Sequence, residues 1–319
     1  MGHEVQVLNY KPWIYENNLY TIFRYRRILH PHRMKREKQK EQLFIPFRTK
    51  FLNLSKRFYR AKKMQLYSNQ LDCIITGSDQ VMNASFVKGG EPGGSTAYYL
   101  SFGREALKRI AYAVSFGTTN FPSKLYPKLS PLVARFNAFS VREKSGKKIV
   151  EEMGRTECIV VPDPTLLLTV EHYYPLLGKC ETSNSICIYM LHNRAAFEKC
   201  LNEYLKGQPI LYNNDCRVED WLANIFNASA VVTNSFHGTV FSILFHRPFM
   251  VVLPTIENIG MNDRFYTLLE KLKLTDRITS ESNMDYSILN RPINWDEVDQ
   301  LLKEYKQIGV DFLAKSLNN

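Results

Sequence analysis

The hydrophobic positions of this chain form short apolar runs separated by longer amphipathic stretches. The apolar runs predict strands at 71–76, 109–114, 138–141, 158–161, 185–191, 210–212, 230–233 and 249–252. Apolar residues at helical spacing predict helices at 123–136, 142–153, 195–205, 218–226, 236–247, 268–273 and 295–316. Because strands and helices alternate in both halves, the sequence predicts an α/β fold with two parallel-sheet layers.

The first hundred residues fit this pattern less regularly. Alternating residues at 4–9 predict a strand, a short apolar run at 97–100 predicts another, and 18–63 predicts basic helices interrupted at Pro31 and Pro46. A doubly wound domain opens with a strand, a turn and a helix, whereas this chain opens on what looks like the second strand. We therefore expect the first β-α unit to be missing and the edge of the first sheet to need covering.

Polar clusters follow five of the predicted strands. They are Gly77-Ser78-Asp79-Gln80, Ser115-Phe116-Gly117, Arg142-Glu143-Lys144, Asp163-Pro164-Thr165 and Asn234-Ser235-Phe236-His237-Gly238. The carboxyl ends of parallel strands share one edge of a sheet, and ligands of open α/β sheets bind there. We therefore expect two such edges to face each other across an interdomain cleft that holds the ligand.

The segment 231–252 is the most informative of these clusters. An apolar strand leads into Thr-Asn-Ser, and His237-Gly238 then opens an apolar helix. A helix N-terminus holds anions, so His237 stands where an anion would bind and where a proton can be transferred. The alternative is a capping turn in which Asn234 or Ser235 is the cap and His237 is merely polar.

Three charged residues at the other strand ends also have two interpretations each. Arg142 offers a planar fork suited to a carboxylate or phosphate, or else forms a surface salt bridge. Asp79 is either a base or the former of an Asx-turn. Asp163 lies between two prolines, which favours a helix cap or a rigid turn over a chemical role.

The length of 319 residues predicts two domains. We expect a first domain at 1–170, a linker at 171–185, a second domain at 186–290 and a terminal helix at 291–319. No apolar run is long enough to span a bilayer, and the start lacks the basic and apolar regions of a signal peptide. The 6 cysteines are scattered without a CxxC pair, which indicates reduced thiols in a cytoplasmic protein and no metal site.

The excess positive charge is confined to one segment. Residues 24–63 hold 15 of the 42 Lys and Arg residues but only 2 of the 31 Asp and Glu residues, with Phe44, Phe47, Phe51, Phe58 and Tyr59 interleaved. This basic insertion is a solvated helical face, a patch for anionic lipid or a pyrophosphate-linked acceptor, or a nucleic-acid surface. The last is least favoured because no nucleic-acid-binding motif accompanies the charge, and we expect no nucleic-acid partner.

The chain resembles the polysaccharide pyruvyl transferase family. The resemblance rests on IITGSDQVMN (74–83), RIAYAVSFG (109–117), SVREKSG (140–146), VVPDPTLLL (160–168) and the whole of 231–252, which occur in the order of the family. It implies two Rossmann-like domains facing across a cleft, as in glycosyltransferases of type B, with the terminal helix crossing back to the first domain. The family's usual opening strand and helix are not found in this chain.

The implied reaction moves a pyruvyl group from phosphoenolpyruvate to two hydroxyls of one sugar, giving a cyclic ketal on a cell-surface polysaccharide or its lipid-linked precursor. The resemblance assigns Arg142 and His237 to holding phosphoenolpyruvate, and we expect no further cofactor. Asp79 is our candidate for the base that accepts a sugar proton. The expected substrate-binding residues are Ser78, Gln80, Ser115, Lys144, Asn234, Ser235, Gly238 and Arg264.

Two alternatives from other classes stay open at this point. One is a glycosyltransferase of the same architecture that uses a nucleotide sugar. The other is a non-catalytic scaffold associated with a membrane. For the transferase, the basic insertion predicts a cytoplasmic protein that is peripheral at the inner face of the plasma membrane, where an acceptor linked to undecaprenyl pyrophosphate would lie.

Overall fold

The computed structural model describes residues 2–12, 31–88, 95–179, 185–192, 201, 205, 207–255 and 259–318. The chain divides into two compact units. Unit 1 comprises Met1–Asp163 and Gly309–Asn319, and unit 2 comprises Pro164–Ile308. Most of the predicted helix at 195–205 lies outside the described residues, as does the part of the basic insertion before residue 31.

Unit 1 contains a four-stranded parallel sheet in the order β1-β2-β3-β4. The strands are β1 (Cys73–Thr76), β2 (Lys108–Val114), β3 (Ala138–Val141) and β4 (Ile159–Val160). Cys73 pairs with Lys108, Ile110 with Ala138 and Ser140 with Ile159. Each strand was predicted from its apolar run, so the parallel α/β layer of the first half is confirmed.

The helices of unit 1 are α1 (Pro31–Phe51), α2 (Met64–Tyr67), α3 (Ala84–Lys88), α4 (Tyr126–Ala134) and α5 (Lys144–Glu152). Short 3₁₀ turns occur at Ala61–Lys63, Ser68–Gln70, Ala97–Tyr99 and Ser123–Leu125. The predicted break at Pro46 is wrong, because α1 continues through that residue. Pro46 is exposed, so water can hydrate the carbonyl that the missing N–H leaves without an intrahelical partner.

Two predicted strands of unit 1 are not strands. The run at 97–100 forms a 3₁₀ turn that ends at Leu100 with a left-handed φ of 49°. Tyr99 is fully buried there, and its hydroxyl donates to the carbonyl of Met82, so tertiary packing decides its conformation. At 4–9 the chain makes only isolated parallel bridges, Val7 to Leu54 and Tyr10 to Phe58, and does not join the sheet.

Unit 2 contains a five-stranded parallel sheet in the order β6-β5-β7-β8-β9. The strands are β5 (Ile186–Tyr189), β6 (Ile210–Tyr212), β7 (Ala230–Thr233), β8 (Phe249–Leu253) and β9 (Ile278–Ser280). The central strands are buried on both faces, and their residues alternate between two apolar clusters. The parallel layer of the second half is therefore also confirmed, with β9 as a strand that the short, polar sequence Ile-Thr-Ser did not reveal.

The helices of unit 2 are α6 (Val218–Phe226), α7 (Phe236–Leu244) and α8 (Asp263–Lys271), and α9 (Trp295–Asn318) is shared by both units. The 3₁₀ turns are Pro164–Leu167, Val170–His172, Tyr174–Leu176, Ile259–Met261, Thr275–Arg277 and Tyr286–Asn290. The last residues of α9 pack within unit 1, where Lys108 Nζ donates to the carbonyl of Leu317 at 2.9 Å. None of the helices that the structure describes is long and apolar enough to cross a membrane.

Candidate active site

Polar side chains follow all four strands of unit 1 at the carboxyl edge of its sheet. Arg142 follows β3, and its side chain is 1% exposed. Its Nη1 atom donates to Asp163 Oδ2 at 2.9 Å, and Asp163 follows the neighbouring strand β4 and is equally buried. Arg142 is therefore held in a buried ion pair, and its interpretation as a surface salt bridge is wrong.

Ser78 is the third member of this network. Its hydroxyl lies 2.8 Å from Asp163 Oδ2 and 3.1 Å from the carbonyl of Ala113, and both oxygens can accept its proton. Asp163 thus joins the ends of β1, β3 and β4 through a single carboxylate oxygen. This link was not anticipated from the Pro-Asp-Pro sequence, which signals a rigid turn but not the tertiary partners of the carboxylate.

Asp79 differs from Asp163 in its exposure. Its Oδ1 atom lies 3.4 Å from Arg142 Nη2, and its side chain is 64% exposed. The exposed Asp79 carboxylate is therefore a weakly held partner of Nη2, which we call the outer nitrogen of Arg142. Asp163 is a firmly held partner of Nη1, which we call the inner nitrogen.

Glu143 brings a third carboxylate to the same guanidinium, with its Oε2 atom 3.6 Å from Arg142 Nε. Burial acts to lower the pKa of Arg142, but the surrounding carboxylates, Asp163 foremost, outweigh it and raise the pKa. Arg142 is therefore charged, and three carboxylates lie around its guanidinium.

The backbone of the turn after β1 requires glycine at position 77. Gly77 has φ of +139°, and a Cβ atom there would lie 1.9 Å from the carbonyl oxygen of Tyr112. This close approach sets the Ser78 hydroxyl beside Ala113, which itself has a positive φ at an irregularity in the register of β2. Asp79 is also left-handed, with φ of 61°, and its carbonyl accepts from Ser115 N at 3.0 Å.

The other predicted residues of unit 1 lie in the turns around this network. Ser115 is fully buried, and its hydroxyl accepts from Gly117 N at 3.1 Å, so it shapes the turn after β2. Gln80 accepts from Asn83 Nδ2 at 3.2 Å in the turn after β1. Lys144 is exposed at the first position of α5. Of the predicted residues, Ser78 contacts Asp163 and Asp79 contacts Arg142.

In unit 2 the turn after β7 is a tightly bonded helix start. Ser235 is the N-cap of α7, and its hydroxyl accepts from Gly238 N at 3.2 Å. A Cβ at Gly238 would lie 2.6 Å from Thr233 Oγ1, so glycine allows the first turn to approach the strand. The capping interpretation is therefore confirmed for Ser235.

The side chain of Asn234 bonds to a neighbouring loop and is not the cap of α7. Its Oδ1 atom accepts from Leu191 N at 2.7 Å, and its Nδ2 atom donates to the carbonyl of His192 at 3.1 Å. Both partners lie in the loop that follows β5. Asn234 thus fixes the neighbouring loop of the same sheet edge rather than the helix.

His237 is distinguished by its exposure. Of the nine residues of α7, eight are buried and His237 is the one that is not. Its ring lies 5.7 Å from the ring of Phe236, and the guanidinium carbon of Arg264 lies 5.9 Å from that same ring. Arg264 is 8% exposed at the start of α8. The Phe236 ring is therefore bordered by two basic side chains at the positive end of a helix.

The start of α7 in unit 2 can bind an anion and transfer a proton. In unit 1, Arg142 is a fixed cation and Asp79 is a carboxylate partner that can be exchanged. Within the residues described, no group of three His, Cys, Asp or Glu side chains is placed to hold a metal ion.

A comparison with protein-family models matches residues 1–254 to the family described as polysaccharide pyruvyl transferase. No curated protein gives a match.

Proposed function

This chain belongs to the polysaccharide pyruvyl transferase family, and we propose that it transfers the pyruvyl group of phosphoenolpyruvate to two hydroxyls of one sugar. The products are a cyclic ketal and free phosphate. The observation that carries this proposal is the start of α7, where His237 is the accessible residue of an otherwise buried helix and Arg264 also borders the ring of Phe236.

The donor phosphate binds at the start of α7. A helix N-terminus carries a partial positive charge, and a phosphate there gains from it and from nearby cations. Arg264 supplies a full charge that does not titrate, because the guanidinium stays protonated. In unit 1 the three carboxylates around Arg142 disfavour a dianionic phosphate, so unit 2 is the better of the two places for it.

The donor carboxylate binds at the outer nitrogen of Arg142. Asp79 occupies that position at 3.4 Å with a side chain that is mostly exposed, so a second carboxylate can take its place by a small movement. Asp163 holds the inner nitrogen, which keeps the guanidinium plane fixed while the outer partner is exchanged.

The reaction then needs a proton donor and a proton acceptor. His237 protonates carbon 3 of the donor, which creates an oxocarbenium-like centre at carbon 2. One sugar hydroxyl attacks carbon 2 and gives its proton to the released Asp79 carboxylate. Phosphate departs from carbon 2, and the second hydroxyl closes the ketal as its proton passes to the phosphate. Exchange with water restores both groups, since Asp79 releases one proton and His237 takes one up, so the two protons lost by the hydroxyls are balanced by one on carbon 3 and one on phosphate.

The acceptor is an anionic, lipid-linked sugar, and α1 binds the membrane surface in which its lipid is anchored. Lys35, Arg36, Lys38 and Lys40 are exposed on this helix, and Phe44 and Ile45, at 47% and 42% exposure, lie beside them. Exposed basic residues together with exposed apolar side chains match the surface of a bilayer that contains anionic lipid.

The test is release of phosphate from phosphoenolpyruvate in the presence of galactose-, mannose- and N-acetylmannosamine-containing acceptors. Release that requires one acceptor, with a product heavier by one pyruvyl ketal, supports the proposal and identifies the sugar. Transfer of phosphate to the sugar instead, or stabilisation by a nucleotide sugar but not by phosphoenolpyruvate, contradicts it.

A further inference from the structure

Uncharged polar side chains gather at the carboxyl edge of the unit 2 sheet, apart from the start of α7. Asn213 and Asn214 follow β6, and Trp221 and Asn224 lie about one turn apart on α6. The ring of Trp221 lies 5.3 Å from the ring of Tyr189, the last residue of β5. We call these five residues the amide–indole cluster.

The hydrogen bonds of Asn213 fix the orientation of its neighbours. Asn213 Nδ2 donates to the carbonyl of Trp221 at 3.0 Å, so its Oδ1 atom faces the other way and accepts from Asn224 Nδ2 at 2.9 Å. Asn224 therefore turns its own Oδ1 atom away from Asn213. Asn214 is fixed in the same manner, because its Nδ2 atom donates to the carbonyl of Met190 at 3.0 Å.

With these orientations fixed, three buried polar atoms of the amide–indole cluster remain without a hydrogen-bond partner among the described residues. Within the part of the chain that the structure describes, Asn214 Oδ1, Asn224 Oδ1 and Trp221 Nε1 have no hydrogen-bond partner. Asn224 is only 6% exposed, so water at the surface does not solvate it freely. Buried polar atoms in folded proteins are nearly always paired, and rotating either amide here would break a bond to a carbonyl or an amide oxygen.

We propose that the amide–indole cluster binds a hydroxyl group of a neutral sugar. A hydroxyl donates to one amide oxygen and accepts from the indole N–H at the same time, and a neighbouring hydroxyl of the same sugar donates to the other amide oxygen. A phosphate or carboxylate only accepts and would face the amide oxygens unfavourably. An ammonium group only donates and would leave Trp221 Nε1 unsatisfied. The rings of Trp221 and Tyr189 add apolar surface of the kind that sugar rings pack against.

The cluster is connected to the start of α7 through one loop. Asn214 holds that loop at the carbonyl of Met190, and Asn234 holds it at Leu191 and His192. The hydroxyl site and the proposed phosphate site thus share one sheet edge. Identifying the sugar as the acceptor of pyruvyl transfer rests on the proposed function, whereas binding of a neutral sugar does not.

The experiment is isothermal titration of the purified protein with the methyl glycosides of galactose, mannose and N-acetylmannosamine. Trp221→Phe keeps an aromatic ring but removes the indole N–H, and Asn214→Ala removes one acceptor on a loop. Trp295→Phe is the matched control for the ring, and Asn227→Ala for an amide, since Asn227 Nδ2 donates to the carbonyl of Ala223 at the end of α6. Melting temperatures and phosphoenolpyruvate binding are measured for each.

We expect at least one glycoside to bind, with affinity lowered about tenfold in both cluster variants and unchanged in both controls, which corresponds to about 1.4 kcal/mol. Phosphoenolpyruvate binding should not change in Trp221→Phe or in either control, whereas in Asn214→Ala it reports the loss of the bond that holds the loop at Met190. Absence of sugar binding by the unaltered protein, or equal affinity in the cluster variants, overturns the inference and assigns ordered water alone to these atoms. Sugar binding that depends on Trp221 supports the inference even where phosphoenolpyruvate gives no turnover, so the two proposals fail separately.

Discussion

Arg142 and Asp163 lie at the ends of adjacent strands and form an ion pair in which both side chains are 1% exposed. Asp163→Asn removes the charge of the inner partner but keeps its shape. Since Glu143 and Asp79 still face the guanidinium, the variant loses a charged hydrogen bond and not the whole charge compensation, so we expect a loss of about 1.5–3 kcal/mol in the free energy of unfolding of unit 1, measured by denaturant titration.

The same variant separates a positioning role from a purely structural one. If Asp163 fixes Arg142 for the donor carboxylate, the folded fraction of Asp163→Asn should show a raised KM for phosphoenolpyruvate. Asp163→Glu, which restores the charge, should recover part of it. A KM equal to that of the unaltered protein would limit Asp163 to stability.

Asp79 competes with the donor carboxylate for the outer nitrogen of Arg142. Asp79→Asn should therefore lower the KM for phosphoenolpyruvate, because a neutral amide is displaced more readily than a carboxylate, while kcat falls about 10²–10⁴-fold through loss of the base. Steady-state kinetics with Asp72→Asn as control tests this, since Asp72 is also exposed and lies just before β1. An unchanged kcat would remove Asp79 from the chemistry.

Gly77 and Gly154 both have positive φ, at +139° and +91°, but only Gly77 is crowded. Gly154→Ala should cost about 1–2 kcal/mol for the left-handed conformation alone. Gly77→Ala adds a clash with the Tyr112 carbonyl and should cost clearly more, with loss of the Ser78 contact to Asp163. Equal melting temperatures for the two variants would contradict the close approach of Gly77 to the Tyr112 carbonyl.

The basic surface of α1 should bind vesicles that contain phosphatidylglycerol but not vesicles of phosphatidylcholine alone. Changing Lys35, Arg36, Lys38 and Lys40 together to Gln should weaken vesicle binding about 10²–10³-fold, at roughly 1 kcal/mol for each charge near the membrane. Changing the exposed residues Lys124, Lys128, Lys148 and Lys303 to Gln removes the same charge elsewhere and serves as the control. Equal losses of vesicle affinity in both sets would mean that the net charge of the protein, and not the surface of α1, determines binding.

The sheet of each unit could be predicted from sequence because burial of parallel strands on both faces leaves an apolar run bounded by polar residues. The helix start at Ser235 was likewise visible in a local signal. By contrast, the turn at 97–100 depends on the partner of Tyr99, and the continuation of α1 past Pro46 depends on solvation of one carbonyl. Neither feature can be predicted from the residues that are close in sequence.

The same distinction applies to the candidate site. Arg142, Asp79 and His237 were named from strand ends and helix starts, which are features of neighbouring residues. Asp163 was interpreted as a turn residue because its partners, Ser78 and Arg142, are 85 and 21 residues away. A buried carboxylate that links three strands has no signature within its own segment.

The central claim is that His237 acts on phosphoenolpyruvate, and kcat/KM for acceptor-dependent phosphate release tests it most directly. His237→Ala should lower kcat/KM about 10²–10⁴-fold with the melting temperature preserved, because its side chain is the least buried on α7. His172→Ala is the control, since His172 is exposed and contacts the nearby Thr169 beside its 3₁₀ turn. An unchanged kcat/KM in His237→Ala would contradict a role for this residue in the reaction.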